Sequence, residues 1–204
     1  MLSFARRLAL SLATMAVFSV QANAAPIVIT FEAFPGPDGI LGTGDDTSPL
    51  NTYIQSLDNQ FSSMGLTFTQ GSLFKDSFYN GNPDNHFISS TNPIATLSVP
   101  VYGISIDSYS VWNATLTAYD QQGHILASNV LRNPSEGAGF YRGTVVVNTN
   151  APIFSFSVLP SQPNYILNLD NLTLQTSPVP EPSQYLMLAA GLALVAARTM
   201  RRKT

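Results

Sequence analysis

Hydrophobic and polar residues alternate through the middle of this chain. Ile104 and Ile106 are interleaved with Ser105 and Asp107, and Phe154, Phe156 and Val158 with Ser155 and Ser157. A period of two sends successive side chains to opposite faces of a strand, so each stretch offers one face to a core and one to water. The pattern predicts strands over Ile27–Phe31, Leu66–Gln70, His86–Ser89, Ile94–Val99, Tyr102–Ser108, Ala114–Tyr119, Ile125–Asn129, Gly143–Asn148, Phe154–Leu159 and Leu167–Leu174. Leu167, Leu169 and Leu172 fall out of step at Asp170-Asn171, which predicts a bulge in the last strand. Between Tyr119 and Ile125 a polar turn containing Gly123 joins two strands as a hairpin, the glycine supplying the positive φ.

One stretch has another period. Tyr53, Leu57, Phe61 and Met64 make a single apolar stripe at helical spacing, with Asn51 or Thr52 to cap its start and Gly65 to stop it. The expectation is an all-β chain: one β-sandwich of jelly-roll type carrying one short helix. Ile29-Thr30-Phe31-Glu32, the Tyr119–Ile125 hairpin and Leu169-Asp170-Asn171-Leu172 resemble segments of carbohydrate-binding and galactose-binding-like sandwiches.

The two ends follow neither period. Arg6 and Arg7 precede an apolar run, Leu8–Val20, and Ala22-Asn23-Ala24 has the form of a signal-peptidase site. Residues 1–24 therefore read as a signal peptide. At the other end, Pro180-Glu181-Pro182 leads through Ser183 and Gln184 into the apolar run Tyr185–Ala197, closed by Arg198, Arg201, Arg202 and Lys203. Thirteen residues rise about 20 Å as a helix, enough for a thin crossing with the ends reaching the interfaces. The basic cluster stays cytoplasmic by the positive-inside rule. The two prolines hold the preceding stretch extended, as a protease takes its substrate. The division is then signal peptide 1–24, sandwich 25–175, Pro-rich linker 176–183 and hydrophobic sorting helix with basic tail 184–204.

This C-terminal pattern resembles the PEP-CTERM sorting signal of Gram-negative bacteria. The matching residues are Pro180, Glu181 and Pro182, the run from Tyr185, and Arg201, Arg202 and Lys203. The resemblance implies transient anchoring in the inner membrane, processing by an exosortase-type membrane protease, and delivery to the cell surface or exopolysaccharide matrix.

Without its ends the chain is acidic. Residues 25–180 hold three basic side chains, Lys75, Arg132 and Arg142, against eleven carboxylates, a formal net charge of −8. That excludes nucleic acid as a natural partner. The absence of cysteine excludes a disulfide framework. Gly36-Pro37-Asp38-Gly39-Ile40-Leu41-Gly42-Thr43-Gly44-Asp45-Asp46 combines flexible backbone with hard oxygens, so Asp38, Asp45 and Asp46 are candidate calcium ligands. The resemblance to carbohydrate-binding sandwiches implies a second calcium position tying the first strand to the last, with Glu32 and Asp170 as side-chain ligands.

Chemistry of other kinds finds little support. His86 and His124 are the only histidines and lack zinc spacing, and there is no Gly-x-Ser-x-Gly elbow. Carboxylate pairs for glycoside hydrolysis, Asp107 with Asp120 or Asp76 with Asp84, are conceivable. Trp112, Tyr109 and Tyr79 are candidate stacking surfaces for sugar rings, although aromatic residues in a small sandwich mostly pack. The expected function is a non-enzymatic, structural or adhesive protein of the surface or matrix. A module recognising extracellular polysaccharide is the alternative, and an exported hydrolase the third.

Overall fold

The computed structural model describes residues 25–49, 54–75 and 86–176. The expected signal peptide, the linker from residue 177 and the sorting tail lie outside them. Ten strands follow in order: β1 Ile27–Ile29, β2 Ile54–Ser56, β3 Leu66–Gln70, β4 Ser72–Lys75, β5 His86–Ser90, β6 Ile94–Ser110, β7 Ala114–Tyr119, β8 Ile125–Leu131, β9 Tyr141–Pro160 and β10 Leu167–Gln175. Every pairing is antiparallel.

Hydrogen bonds link all ten strands into one sheet, ordered β2-β4-β5-β10-β6-β9-β7-β8, with β1 on β10 and β3 on β6. The two longest strands turn this sheet into a sandwich. The first half of β6 pairs with the second half of β9, and the second half of β6 with the first half of β9. Register shifts between Thr96 and Gly103 mark where β6 passes from one layer to the other. The same corner flips its inward parity: Ala95, Leu97 and Val101 are buried before it, Ile104 and Ile106 after it. Irregularities of this kind let one strand serve both layers. The two predicted strands on either side of Pro100 are thus one strand, as are the two on either side of Asn150.

The core lies between the layers. Ile29, Leu66, Ile88, Ile104, Leu116, Ile153, Leu169 and Leu172 are each sealed from solvent. At one side an aromatic nest closes it: the Phe61 ring meets Phe31 at 5.6 Å, Phe34 at 5.5 Å and Phe68 at 6.4 Å, all edge to face. One expectation on β9 changes here. Phe154 is only half-buried, whereas Ser157 is buried and bonds the Tyr119 hydroxyl at 3.0 Å.

The predicted helix does not form. Tyr53 lies outside the described residues, and Ile54-Gln55-Ser56 pair with Phe74-Leu73-Ser72 as β2. Only Ser62–Met64 winds, as one turn of 3-10 helix stopped by Gly65 at φ 81°. Ser56, Asp58 and Asn59 favour turns over helix. The Asp58 amide donates to the Gln60 side chain (2.6 Å), and the Asp58 carbonyl accepts from Phe68 N–H (2.8 Å). Leu57 and Phe61 still reach the core, so the stripe of apolar residues records burial and not helical winding.

Candidate functional site

The bulge in β10 builds the first site. The register of β10 on β6 slips between Asp170 and Thr173, and Asn171 takes a left-handed backbone at φ 50°. Ahead of the slip, pairing lines up Asp170, Asp107 and Thr144 across three strands, and Ser89, Asn168, Tyr109 and Arg142 across the adjacent row. These positions alternate with the buried Leu167, Leu169 and Ile106, so they sit on the outer face of the layer.

Asp107 accepts from the Thr144 hydroxyl (2.6 Å) and the Asn171 side-chain amide (2.9 Å), with Arg142 at 3.6 Å. Asp170 accepts from the Asn171 N–H (2.8 Å) and is 4 % exposed. Burial pushes its carboxyl up to about 6 against that bond; the charges of Glu32 and Asp107 push the same way, and Arg142 opposes them. Glu32 arrives from the other end of the chain. Phe31 takes φ 64° with its ring fixed in the aromatic nest, a strained backbone for a non-glycine residue. The next residue, Glu32, accepts from the His86 N–H (3.1 Å) and contacts His86 Nδ1 at 3.0 Å. His86 Nε2 is buried without a hydrogen-bond partner. Glu32 and Asp170 thus lie within electrostatic range of each other.

The Asp/Gly loop folds on itself. Phe34 and Thr47 bridge its ends through a pair of backbone hydrogen bonds (2.8 and 3.0 Å). Asp46 accepts from the N–H groups of Gly42 (2.6 Å), Thr43 (3.2 Å) and Gly36 (3.3 Å). Asp45 accepts from the Thr43 hydroxyl (2.6 Å), which holds its carboxyl below the ordinary range, and Asp38 accepts from Ile40 N–H (2.8 Å). A Cβ at Gly36 would collide with the Asp45 carboxylate, so this packing requires glycine there. Among the described residues no group of three or more His, Asp or Glu side chains is placed to hold a metal ion. A cation in the loop or beside Asp170 would need backbone carbonyls or water to complete its shell.

The second site is an aromatic tip. Three connections meet there: residues 111–113 after β6, 132–140 before β9 and 161–166 before β10. Asn133, buried, ties them: its side chain donates to the carbonyls of Gly139 (2.7 Å), Val111 (3.0 Å) and Ser110 (3.3 Å), and its N–H donates to the Asn113 side chain (2.6 Å). Glu136 accepts from Asn113 (2.8 Å) and from the Ser161 hydroxyl. On this frame Tyr165 packs against Trp112 (4.9 Å between centroids), and Phe140 stacks on Tyr109 (4.8 Å, 15°). Gly137, at φ 80°, lies so close to the indole that a Cβ would come within 3.2 Å of it.

Trp112 is therefore half-buried, and its Nε1 has no partner. The most exposed rings among the described residues are Phe140 (63 %) and Tyr165 (50 %), which the sequence reading missed; Tyr141 beside them is less exposed. Their only local signal is their place beside turn residues, in Gly139-Phe140 and Pro163-Asn164-Tyr165. Tyr79, the third predicted aromatic, lies outside the described residues, as do Asp76 and Asp84. Asp107 and Asp120 are not brought together: Asp120 caps its own hairpin, accepting from the N–H groups of Gln122 (2.9 Å) and His124 (2.8 Å).

None of the curated proteins matches the chain in sequence. Among solved structures it is similar to an arabinose-bound α-L-arabinofuranosidase (12 % identity, TM-score 0.41), over 75 % of this chain and 31 % of the enzyme. The chain thus spans about a third of that protein's length. It is also similar to the K1 cleaved adhesin domain of Lys-gingipain from Porphyromonas gingivalis (10 %, TM-score 0.39; 76 % and 99 % covered). A family 29 carbohydrate-binding module is comparable (11 %, TM-score 0.38; 78 % and 99 % covered). The match that carries information about destination is at the C-terminus. Residues 178–203 are a PEP-CTERM protein-sorting motif, and the chain carries the address of an exported exosortase substrate.

Proposed function

We propose that this chain is a non-enzymatic component of the cell surface or exopolysaccharide matrix, with a structural or adhesive role. The sorting motif at 178–203 carries the reading, because it implies export and surface sorting. Exosortase is the processing partner, and the apolar run of the tail holds the protein in the inner membrane until it is cut. Glu181→Ala, or deletion of Arg201 to Lys203, is expected to leave the unprocessed form in the membrane fraction. Normal maturation of both variants, followed by immunoblot, would end this reading.

The aromatic tip favours a second reading in which adhesion is glycan binding. Its rings are held by a hydrogen-bonded frame before any ligand arrives, which lowers the ordering cost of binding. A hydrolase is the weaker reading. Its best acid by environment, Asp170, is only 4 % exposed and so is closed to a glycosidic oxygen.

Calcium is the cation proposed, at Glu32 and Asp170 or in the loop of Asp38, Asp45 and Asp46. A buried carboxylate flanked by two negative groups is a position that a divalent cation relieves. Thermal melting of the full chain in EDTA and in millimolar calcium separates the two positions. Loss of the calcium-dependent rise in Asp45→Asn with Asp46→Asn assigns the loop; an unchanged rise assigns Glu32 and Asp170; no rise in the parent chain rejects both.

A further inference from the structure

The tip lies at the opposite end of the domain from Ile27 and Gln175. β10 starts at Leu167, directly after the tip residues Tyr165 and Ile166, and runs away to Gln175, beyond which the sorting segment begins. β1 pairs antiparallel with the far half of β10, Ile27 opposite Leu174, so the N-terminal end of the domain is on the same side. From Leu167 to Leu174 a strand advances about 20–25 Å. The corner where β9 crosses between layers is also on that side, since Tyr141 pairs with Ser110 and Pro160 with Ala114 at the tip. A chain attached through its C-terminal tail thus points the aromatic tip away from its attachment.

We infer that this tip is a binding surface for a neutral polysaccharide, presented outward from the anchored end by the direction of β10. The inference rests on the glycan-binding reading and adds the site, its orientation and the charge class of the polymer. Phe140 and Tyr165 offer ring faces at 63 % and 50 % exposure, with Ile166 at 55 % beside them. Such faces stack on the C–H surfaces of sugar rings, and Glu136, bonded to Asn113 and Ser161 in the same tip, adds a hydrogen-bonding group. The backing is rigid: Asn133 spans the connections at 110–113 and 139, and Glu136 joins Asn113 to Ser161. Charge excludes one class of polymer. At −8 over residues 25–180 the domain repels a polyanion, while a neutral chain pays no such penalty. Trp112 serves as the floor under Tyr165, not as the contact itself.

Affinity electrophoresis of the full chain in mild detergent tests this, with hydroxyethylcellulose, dextran and alginate as probes at about 0.15 M salt. The expected result is retardation by a neutral glucan and none by alginate. Phe140→Ala with Tyr165→Ala should weaken the retardation at least tenfold. Ile125→Ala, an exposed apolar side chain in the hairpin at the far end of β7, should leave it unchanged. Retardation that survives the double substitution overturns the tip assignment while leaving glycan binding intact. Retardation by alginate in place of the glucans overturns the neutral class. A parent chain that no probe retards overturns the glycan-binding reading itself. If the double substitution instead converts a dimer to a monomer in light scattering, the tip is a self-association surface and the inference falls.

Discussion

Phe61→Ala is expected to cost about 3–5 kcal/mol of folding stability. The ring is sealed from solvent and touches three others, Phe31, Phe34 and Phe68, so its removal leaves a cavity that edge-to-face neighbours cannot fill without leaving their own contacts. For a domain of this size that is a fall in melting temperature of about 10–15 °C. The loss has a local signature too. Phe34 begins the bridge to Thr47 that closes the Asp/Gly loop, and Phe31 holds the left-handed turn that aims Glu32 at His86. Loosening the nest should raise amide exchange across residues 34–47 more than across β7. Phe61→Leu keeps much of the volume and should fall between the two. Melting with hydrogen exchange on the parent chain and both variants measures this; a fall of under about 3 °C for Phe61→Ala would mean the nest is not the closure of the core.

Much of this architecture was legible because β structure is written in alternation, and burial obeys the same period. The limits of β3 and β7 follow directly from it, and so do the Asp170 bulge and the Gly123 turn. Two things were not legible. Alternation restarts after a corner, so Pro100 and Asn150 read as breaks although β6 and β9 continue through them into the other layer. The stripe Tyr53-Leu57-Phe61-Met64 fits a helix by spacing, but tertiary pairing with β4 outweighed it, as it does for weak helix formers. For the sites, Asp170 drew notice because it breaks the alternation within β10, and Glu32 because it follows the first apolar stretch. The tip was half visible. Trp112 and Tyr109 stood out as aromatic residues beside a turn, whereas Asn133 looked like any other loop asparagine. Its role arises only when residues distant in sequence, Ser110, Val111 and Gly139, converge on one side chain.

Asp170→Asn should make the calcium-free protein more stable at pH 7 and remove a pH dependence that the parent chain shows. The folded-state carboxyl is pushed up from 3.8 to about 6, with burial the largest cause. A carboxyl that binds its proton more tightly when folded stabilises the fold below its unfolded value, near pH 4, and that contribution is lost as pH rises through about 6. A shift of about two units corresponds to about 3 kcal/mol. Urea unfolding of the full chain in EDTA, at intervals from pH 4 to pH 8, should therefore show the parent falling relative to Asp170→Asn by that order. Asparagine is nearly isosteric, keeps an oxygen for the Asn171 N–H, and carries no charge for Glu32 and Asp107 to repel. Calcium then reads out the other half of the argument. A cation seated between Glu32 and Asp170 favours the ionised form, so saturating calcium should lift the parent at pH 7 by about 2.7 kcal/mol at a hundred times Kd and leave Asp170→Asn unmoved. Parallel pH profiles for the two chains in EDTA would show that Asp170 does not carry its charge in a buried setting. A calcium gain of equal size in both would remove Asp170 from any cation site and return the question to the Asp/Gly loop.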